Sequence, residues 1–216
     1  AWEPDELVGI ADWLDRNGMV VGAGWATHAH YDHVLWHPRF GAAPRWATTA
    51  AATYASGHCA SLVAGLGPDW PRDLAPLVGA VTGWDGDEVP WDGPLVRVVR
   101  HSAHCPGHSA LWVERAEVLI AGDMLSDIEI PLPDSEGISG YLRGLRLLEP
   151  WVRRARVLVP GHGRVAVRGE ADSPESRLAL DLAYLSDPAR ATGDPRLRNA
   201  PEWLLDQHER NTSWIR

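Results

Sequence analysis

The sequence predicts an α/β protein on three observations. Short β-branched runs alternate with amphipathic stretches at helical spacing, turn residues punctuate them throughout, and the residues able to do chemistry fall where strands end. No segment repeats, and the length of 216 residues suits one domain spanning residues 1–216, long enough to bury a substantial core.

Residues 3–17 place Leu7, Ile10, Ala11 and Leu14 at helical spacing, with Pro4 suited to a first turn and Gly18 as a stop, which predicts an amphipathic surface helix. Residues 19–26 read as a short buried strand that leads directly into Thr27-His28-Ala29-His30-Tyr31-Asp32-His33. Residues 44–48 read as another short strand. The Ala-rich residues 49–64 are helix-compatible, with Gly57 as the weak point. Residues 65–92 carry Pro68, Pro71, Pro76 and Pro90 among several glycines and read as loops around at most one short helix. Residues 95–100, 110–114 and 118–121 are three β-rich runs separated by turn signals. Helix is predicted over 138–154, strand over 156–159 and helix again from 174 to 185, within a helical C-terminal region of about 173–214.

Composition narrows the function classes. The formal charge of −9 works against a nucleic acid partner, because affinity for a phosphate backbone rests on basic side chains. Every basic residue is Arg and none is Lys, a bias expected of a GC-rich bacterial genome. Twelve Trp against one Phe suggests that Trp fills core and pocket-wall positions usually given to Phe. No apolar run approaches the roughly 18–20 residues of a spanning helix, so a membrane partner is not expected. Cys59 and Cys105 show no ligand or disulfide spacing, which points to a reduced, cytoplasmic chain.

The densest chemistry lies at His28, His30, Asp32 and His33, four potential ligands within six residues after an apolar run. Imidazole nitrogen and carboxylate oxygen suit zinc or another borderline divalent ion, and crowded ionisable groups repel or desolvate one another unless an ion compensates. Three further motifs follow: Pro106-Gly107-His108-Ser109, then Leu119-Ile120-Ala121-Gly122-Asp123, then Val157-Leu158-Val159-Pro160-Gly161-His162-Gly163.

In this order and each after an apolar run, the four motifs resemble the metal-binding pattern of the metallo-β-lactamase superfamily over roughly residues 1–165. The resemblance implies an αββα sandwich. It also implies two divalent metal ions, with zinc the default and iron or manganese as alternatives. One ion would be held by His28, His30 and His108, the other by Asp32, His33 and His162, with Asp123 bridging both. His104, four residues before His108, is the less suitable ligand, because Pro106 and Gly107 break any helix that would align the two; a place at the pocket mouth is the functional alternative for it. His37, His58, His101 and His208 match no motif and read as structural or exposed; Cys105 reads as a small buried residue.

Two departures from the family pattern stand out. His33 is followed by Val34-Leu35-Trp36-His37-Pro38 where small residues are usual, which predicts a bulkier pocket wall. The helix begins almost at Ala1, so the family's first strands are expected to be missing from this chain through processing, cleavage or shortening, and a missing N-terminal segment is a candidate partner.

The function implied is a dinuclear metal-dependent hydrolase, in which a metal-bound hydroxide attacks the carbonyl of a small-molecule thioester, ester, lactone or amide. Asp32 and Asp123 would be its catalytic carboxylates. An iron-dependent persulfide dioxygenase, a metallo-β-lactamase proper and a non-catalytic binding module are the alternatives, and metal content with a chelator-controlled assay separates them. The run from Met124 to Asp134 contains no Arg or Lys, so a pocket built from Trp36, His104, Met124, Leu125, Asp127 and Ile128 is expected to favour neutral or cationic acyl groups.

Overall fold

The structure, a computed structural model, describes residues 2–134 and 136–214. The chain forms two compact units. The first takes in the chain up to Gly86 together with Pro90–Gly93; the second comprises Asp87–Val89 and the chain from Pro94 onward. Among the described residues no helix is long and apolar enough to cross a membrane.

In the first unit, helix α1 (Pro4–Arg16) begins as expected. Glu3 and Glu6 form a reciprocal capping box, Pro4 occupies the first turn, and Leu7 and Ala11 are the buried positions. A parallel sheet follows in the order β1 (Gly24–Trp25), β2 (Arg45–Ala47), β3 (Thr82–Gly83), with Gly24 opposite Arg45 and Trp46 opposite Thr82. Helices α2 (Thr49–Gly57) and α3 (Cys59–Gly65) cover the connection; Thr48 caps α2 by accepting a hydrogen bond from the Ala51 N–H at 3.2 Å. The core of this unit is built from Leu7, Ala29, Val34, Ala47, Ala51 and Leu62 with their neighbours.

Three expectations are corrected here. The buried strand over 19–26 shrinks to the two residues of β1, with Met19 51% and Val20 91% exposed. Apolar residues also populate surfaces, and glycine at positions 22 and 24 weakens strand pairing, so an apolar run alone did not measure burial. The helix over 49–64 is two helices, broken at His58, whose ring stacks on Tyr54 at 4.1 Å. Residues 65–92, expected as loops around at most one short helix, also contribute strand β3, which is too short to carry a period-2 signal.

The second unit holds a five-stranded sheet in the order β4 (Val96–Arg100), β5 (Ser109–Val113), β6 (Val118–Gly122), β7 (Val157–Pro160), β8 (Ala166–Val167). Pairing is antiparallel except between β6 and β7, and that parallel pair is connected through helix α4 (Gly137–Arg154). The buried face of α4 carries Tyr141, Leu145, Leu148 and Val152, a spacing of four, three and four residues that lays one stripe on the core. Helices α5 (Pro174–Ser186) and α6 (Glu202–Ser213) complete the unit, α5 beginning at a Ser173 cap. Trp112, Leu119, Ala121 and Leu158 from the strands meet these helices in a single cluster. Tryptophan is less of a core residue than its abundance suggested: Trp112 is fully buried, but Trp2, Trp13, Trp203 and Trp214 are each about half exposed.

Candidate functional site

The first unit presents its donors immediately after β1. The Ala26 N–H donates to the Trp46 carbonyl at 2.8 Å, extending the pairing to the threshold of the His-rich loop, and buried Ala29 and Val34 pin that loop to the core. Thr27 Oγ1 lies 3.1 Å from His28 Nδ1, and His28 Nε2 lies 3.1 Å from His30 Nδ1. The His28 and His33 rings are 4.1 Å apart, and His33 Nε2 is 3.2 Å from Asp32 Oδ2. Three imidazoles and a carboxylate are thus packed against one another on one short loop, a density of polar groups that a cation would compensate. A cavity of about 230 Å³ within the same unit reaches Asp32 and His33 and has Trp36 in its wall.

In the second unit, topology gathers the donors. His108 precedes β5, Asp123 follows β6 and His162 follows β7; because β5 runs against β6 and β6 runs with β7, all three stand at one end of the sheet. The Asp123 backbone N–H donates to His108 Nε2 at 3.2 Å, and Asp123 Oδ2 lies 3.5 Å from both His162 Nε2 and His104 Nε2. His104 is buried, and its Nδ1 lies 3.1 Å from the Leu132 carbonyl.

His101 also belongs to this end, which sequence reasoning missed. The β4–β5 register pairs Arg100 with Ser109, so the next step sets His101 opposite His108. The His101 N–H donates to the His108 carbonyl at 2.8 Å, and the two rings approach to 3.2 Å between His108 Nδ1 and His101 Nε2. The signal was present in the hairpin pairing, not in any motif. His37, His58 and His208 keep their structural reading: His37 accepts from the Arg39 N–H at 3.3 Å, and His208 Nδ1 is 2.9 Å from the Tyr184 hydroxyl. Cys105 is buried as expected.

The segment after Asp123 is held by side chains from the C-terminal half of the unit. Leu125 adopts a left-handed φ of 61° with its side chain buried, a conformation that non-glycine residues keep only when their surroundings impose it. Its carbonyl accepts from buried Arg177 at 3.1 Å, and Arg177 is also paired with Asp172. Arg196 donates to the Glu129 carbonyl at 3.1 Å while gripping Asp194 and Asp181, and Asn211 donates to the Pro131 carbonyl at 2.8 Å. Burial pushes the Asp181 carboxyl up to about 6 against the pull of Arg196. Burial likewise opposes ionisation of Asp127, but hydrogen bonds from Arg164 and the nearby Arg177 outweigh it and hold that carboxyl below its ordinary value. Of the residues expected to line a pocket here, Met124 and Leu125 lie in the hydrophobic core, Asp127 is ion-paired with Arg164 at 2.9 Å, and Ile128 is 52% exposed.

A sequence profile described as the metallo-beta-lactamase superfamily matches residues 25–162. A comparison with curated proteins returned no match. Among solved structures, a beta-lactamase domain protein from Burkholderia ambifaria is 24% identical with a TM-score of 0.55, covering 80% of this chain and 59% of its own. This chain therefore spans less than two thirds of that relative. A metallo-beta-lactamase from Pontibacter korlensis is 17% identical with a TM-score of 0.60, covering 86% of this chain and 79% of its own. A third structure, TTHA1623 in a di-iron-bound form, is 20% identical with a TM-score of 0.52, covering 76% and 80%. At these identities the likeness is one of fold.

Proposed function

Because the chain belongs to the metallo-beta-lactamase superfamily, we propose that it is a metal-dependent hydrolase acting on the carbonyl of a small-molecule thioester, ester, lactone or amide. The observation that carries this reading is the convergence of His108, Asp123 and His162 at one end of a single sheet, with the Asp123 carboxylate 3.5 Å from the imidazoles of His162 and His104 and its backbone N–H on His108. Strand ends of different strands meeting around one carboxylate are the arrangement a shared ligand requires.

The donor sets fit a divalent metal chemically. The assigned donors are imidazoles and carboxylates, which suit zinc and equally suit iron, the metal in one of the structural relatives. His28, His30 and His108 would hold one ion and Asp32, His33 and His162 a second, with Asp123 serving both. When bound, such ions activate water and polarise a carbonyl oxygen. The remaining work falls to the chain. Asp32, 3.2 Å from His33, would orient a water and pass on its proton. His101 backs His108 and restrains its ring, and the Tyr141 hydroxyl, 3.5 Å from the Asp123 carbonyl, steadies the end of β6.

The test is metal analysis of freshly purified protein followed by turnover of a panel of thioesters, lactones, β-lactams and phosphodiesters with and without chelator. About two metal equivalents and chelator-sensitive acyl hydrolysis are expected under the two-ion assignment. Protein that binds no divalent metal, or turns over only phosphodiesters, refutes the proposal.

A further inference from the structure

The wall of the cavity beside Asp32 and His33 carries a guanidinium. Arg45 stands on β2 opposite Gly24 of β1, and its side chain enters the cavity wall beside Trp36. Its guanidinium carbon lies 5.0 Å from the centre of the Trp36 ring, and its Nη1 donates to the Leu77 carbonyl at 3.0 Å. The opening for this pair is made by Gly24: a Cβ there would meet the Trp36 ring at 2.6 Å and the Arg45 Cγ at 3.3 Å. The rest of the wall is apolar, with Leu7, Ile10, Leu35 and Phe40.

Arg45 differs from the other arginines drawn out of solvent. Arg177 is paired with Asp172 and Asp127, and Arg196 with Asp181 and Asp194, whereas among the described residues Arg45 has no carboxylate partner. Burial lowers its pKa, as expected of a cation that gives up water without an anion in return. A guanidinium fixed against a ring at the wall of an apolar hollow is the arrangement that recognises a planar anion by paired N–H donors.

We propose that this cavity seats the acyl portion of the substrate and that Arg45 takes a carboxylate at its far end, so that the chain prefers acyl compounds with an apolar or aromatic body and a terminal carboxylate. The inference rests on the hydrolase reading for the word substrate, but the binding site itself does not. It replaces the expectation of a neutral or cationic pocket. That expectation considered only the segment after Asp123, while the cation arrives from β2, twelve residues beyond His33.

Isothermal titration of the purified protein, with the metals it carries, against 4-phenylbutyrate and its uncharged analogue 4-phenylbutyramide tests this directly. The carboxylate should bind about tenfold more tightly or better, the scale of a charge-assisted pair at a part-buried site. Arg45→Met should bring the two ligands to within roughly twofold, and Arg45→Lys, which keeps the charge but not the planar fork, should retain only part of the preference. Equal binding of the two ligands by the parent, or a preference surviving in a folded Arg45→Met, overturns the proposal; if Arg45→Met fails to fold, Arg45→Gln takes its place, equal binding supporting the proposal and a surviving preference overturning it. An Arg45-dependent carboxylate preference without turnover of any acyl substrate would sink the hydrolase reading and leave the site standing. Acyl turnover without the preference would do the reverse.

Discussion

Replacing Gly163 by Ala tests whether the loop bearing His162 is keyed to the segment after Asp123. Gly163 has a φ of 101°, outside the range that side-chain-bearing residues adopt readily, and a Cβ there would fall 2.0 Å from Asp127 Oδ1 and 3.3 Å from Ser126 Oγ. The backbone strain alone costs roughly 1–3 kcal/mol. Asp127 must also swing away, giving up the hydrogen bond that it accepts from the Arg164 backbone N–H at 2.8 Å, which adds about 1 kcal/mol. The ion pair to the exposed Arg164 guanidinium is left out of the sum. The expected loss is about 2–4 kcal/mol, equivalent to a fall in Tm of about 5–15 °C for a chain of this size. Urea unfolding followed by tryptophan fluorescence measures it, and a loss under about 0.5 kcal/mol would refute the reasoning. The same substitution made in an Asp127→Ala background should cost less, because only the backbone strain remains; an unchanged cost would show that Asp127 is not what the new methyl strikes.

Three further outcomes are expected. Asp123→Ala should lower metal content at both positions and abolish turnover, and full metal content by atomic emission with a normal rate would show that the shared carboxylate is misassigned. His101→Phe keeps the ring but removes the nitrogen facing His108, and should weaken metal affinity by about 10–100-fold in competition with a chromogenic chelator; unchanged affinity would make His101 a packing residue. Asp181 titrates at about 6 in the folded chain against 3.8 ordinarily, so the folded state holds a proton that the unfolded state has released between those values. Its contribution is therefore complete below about pH 4 and lost as pH rises through about 6, and Asp181→Asn should flatten that slope in urea titrations between pH 4 and 7; parallel curves would remove the effect.

The candidate ligands were legible because their signal is local. His28, His30, Asp32 and His33 declare themselves by residue type and spacing, and Gly122-Asp123 and Gly161-His162 by following apolar runs. The helices α1, α4 and α5 were legible as helical runs, and α1 also through its Pro4 start and Gly18 stop. What escaped was set by pairing between strands. His101 gains its meaning only from the register that lays β4 against β5, and Arg45 only from facing Gly24 across a parallel pair more than twenty residues apart in sequence. The run at Met19 and Val20 misled for a related reason: hydrophobicity says that a residue gains from burial, not that a partner strand is there to bury it.

The carbonyls of Leu125, Glu129 and Pro131 are captured by Arg177, Arg196 and Asn211, residues that lie beyond every candidate ligand in the chain. The C-terminal region therefore works as a jig for a loop it does not contribute to. A chain cut shortly after His162 would retain all seven candidate ligands yet lose the clamps that impose the left-handed turn at Leu125. By the same logic, grafting residues 124–132 into a relative would carry over their order but not their shape unless Arg177, Arg196 and Asn211 travelled with them.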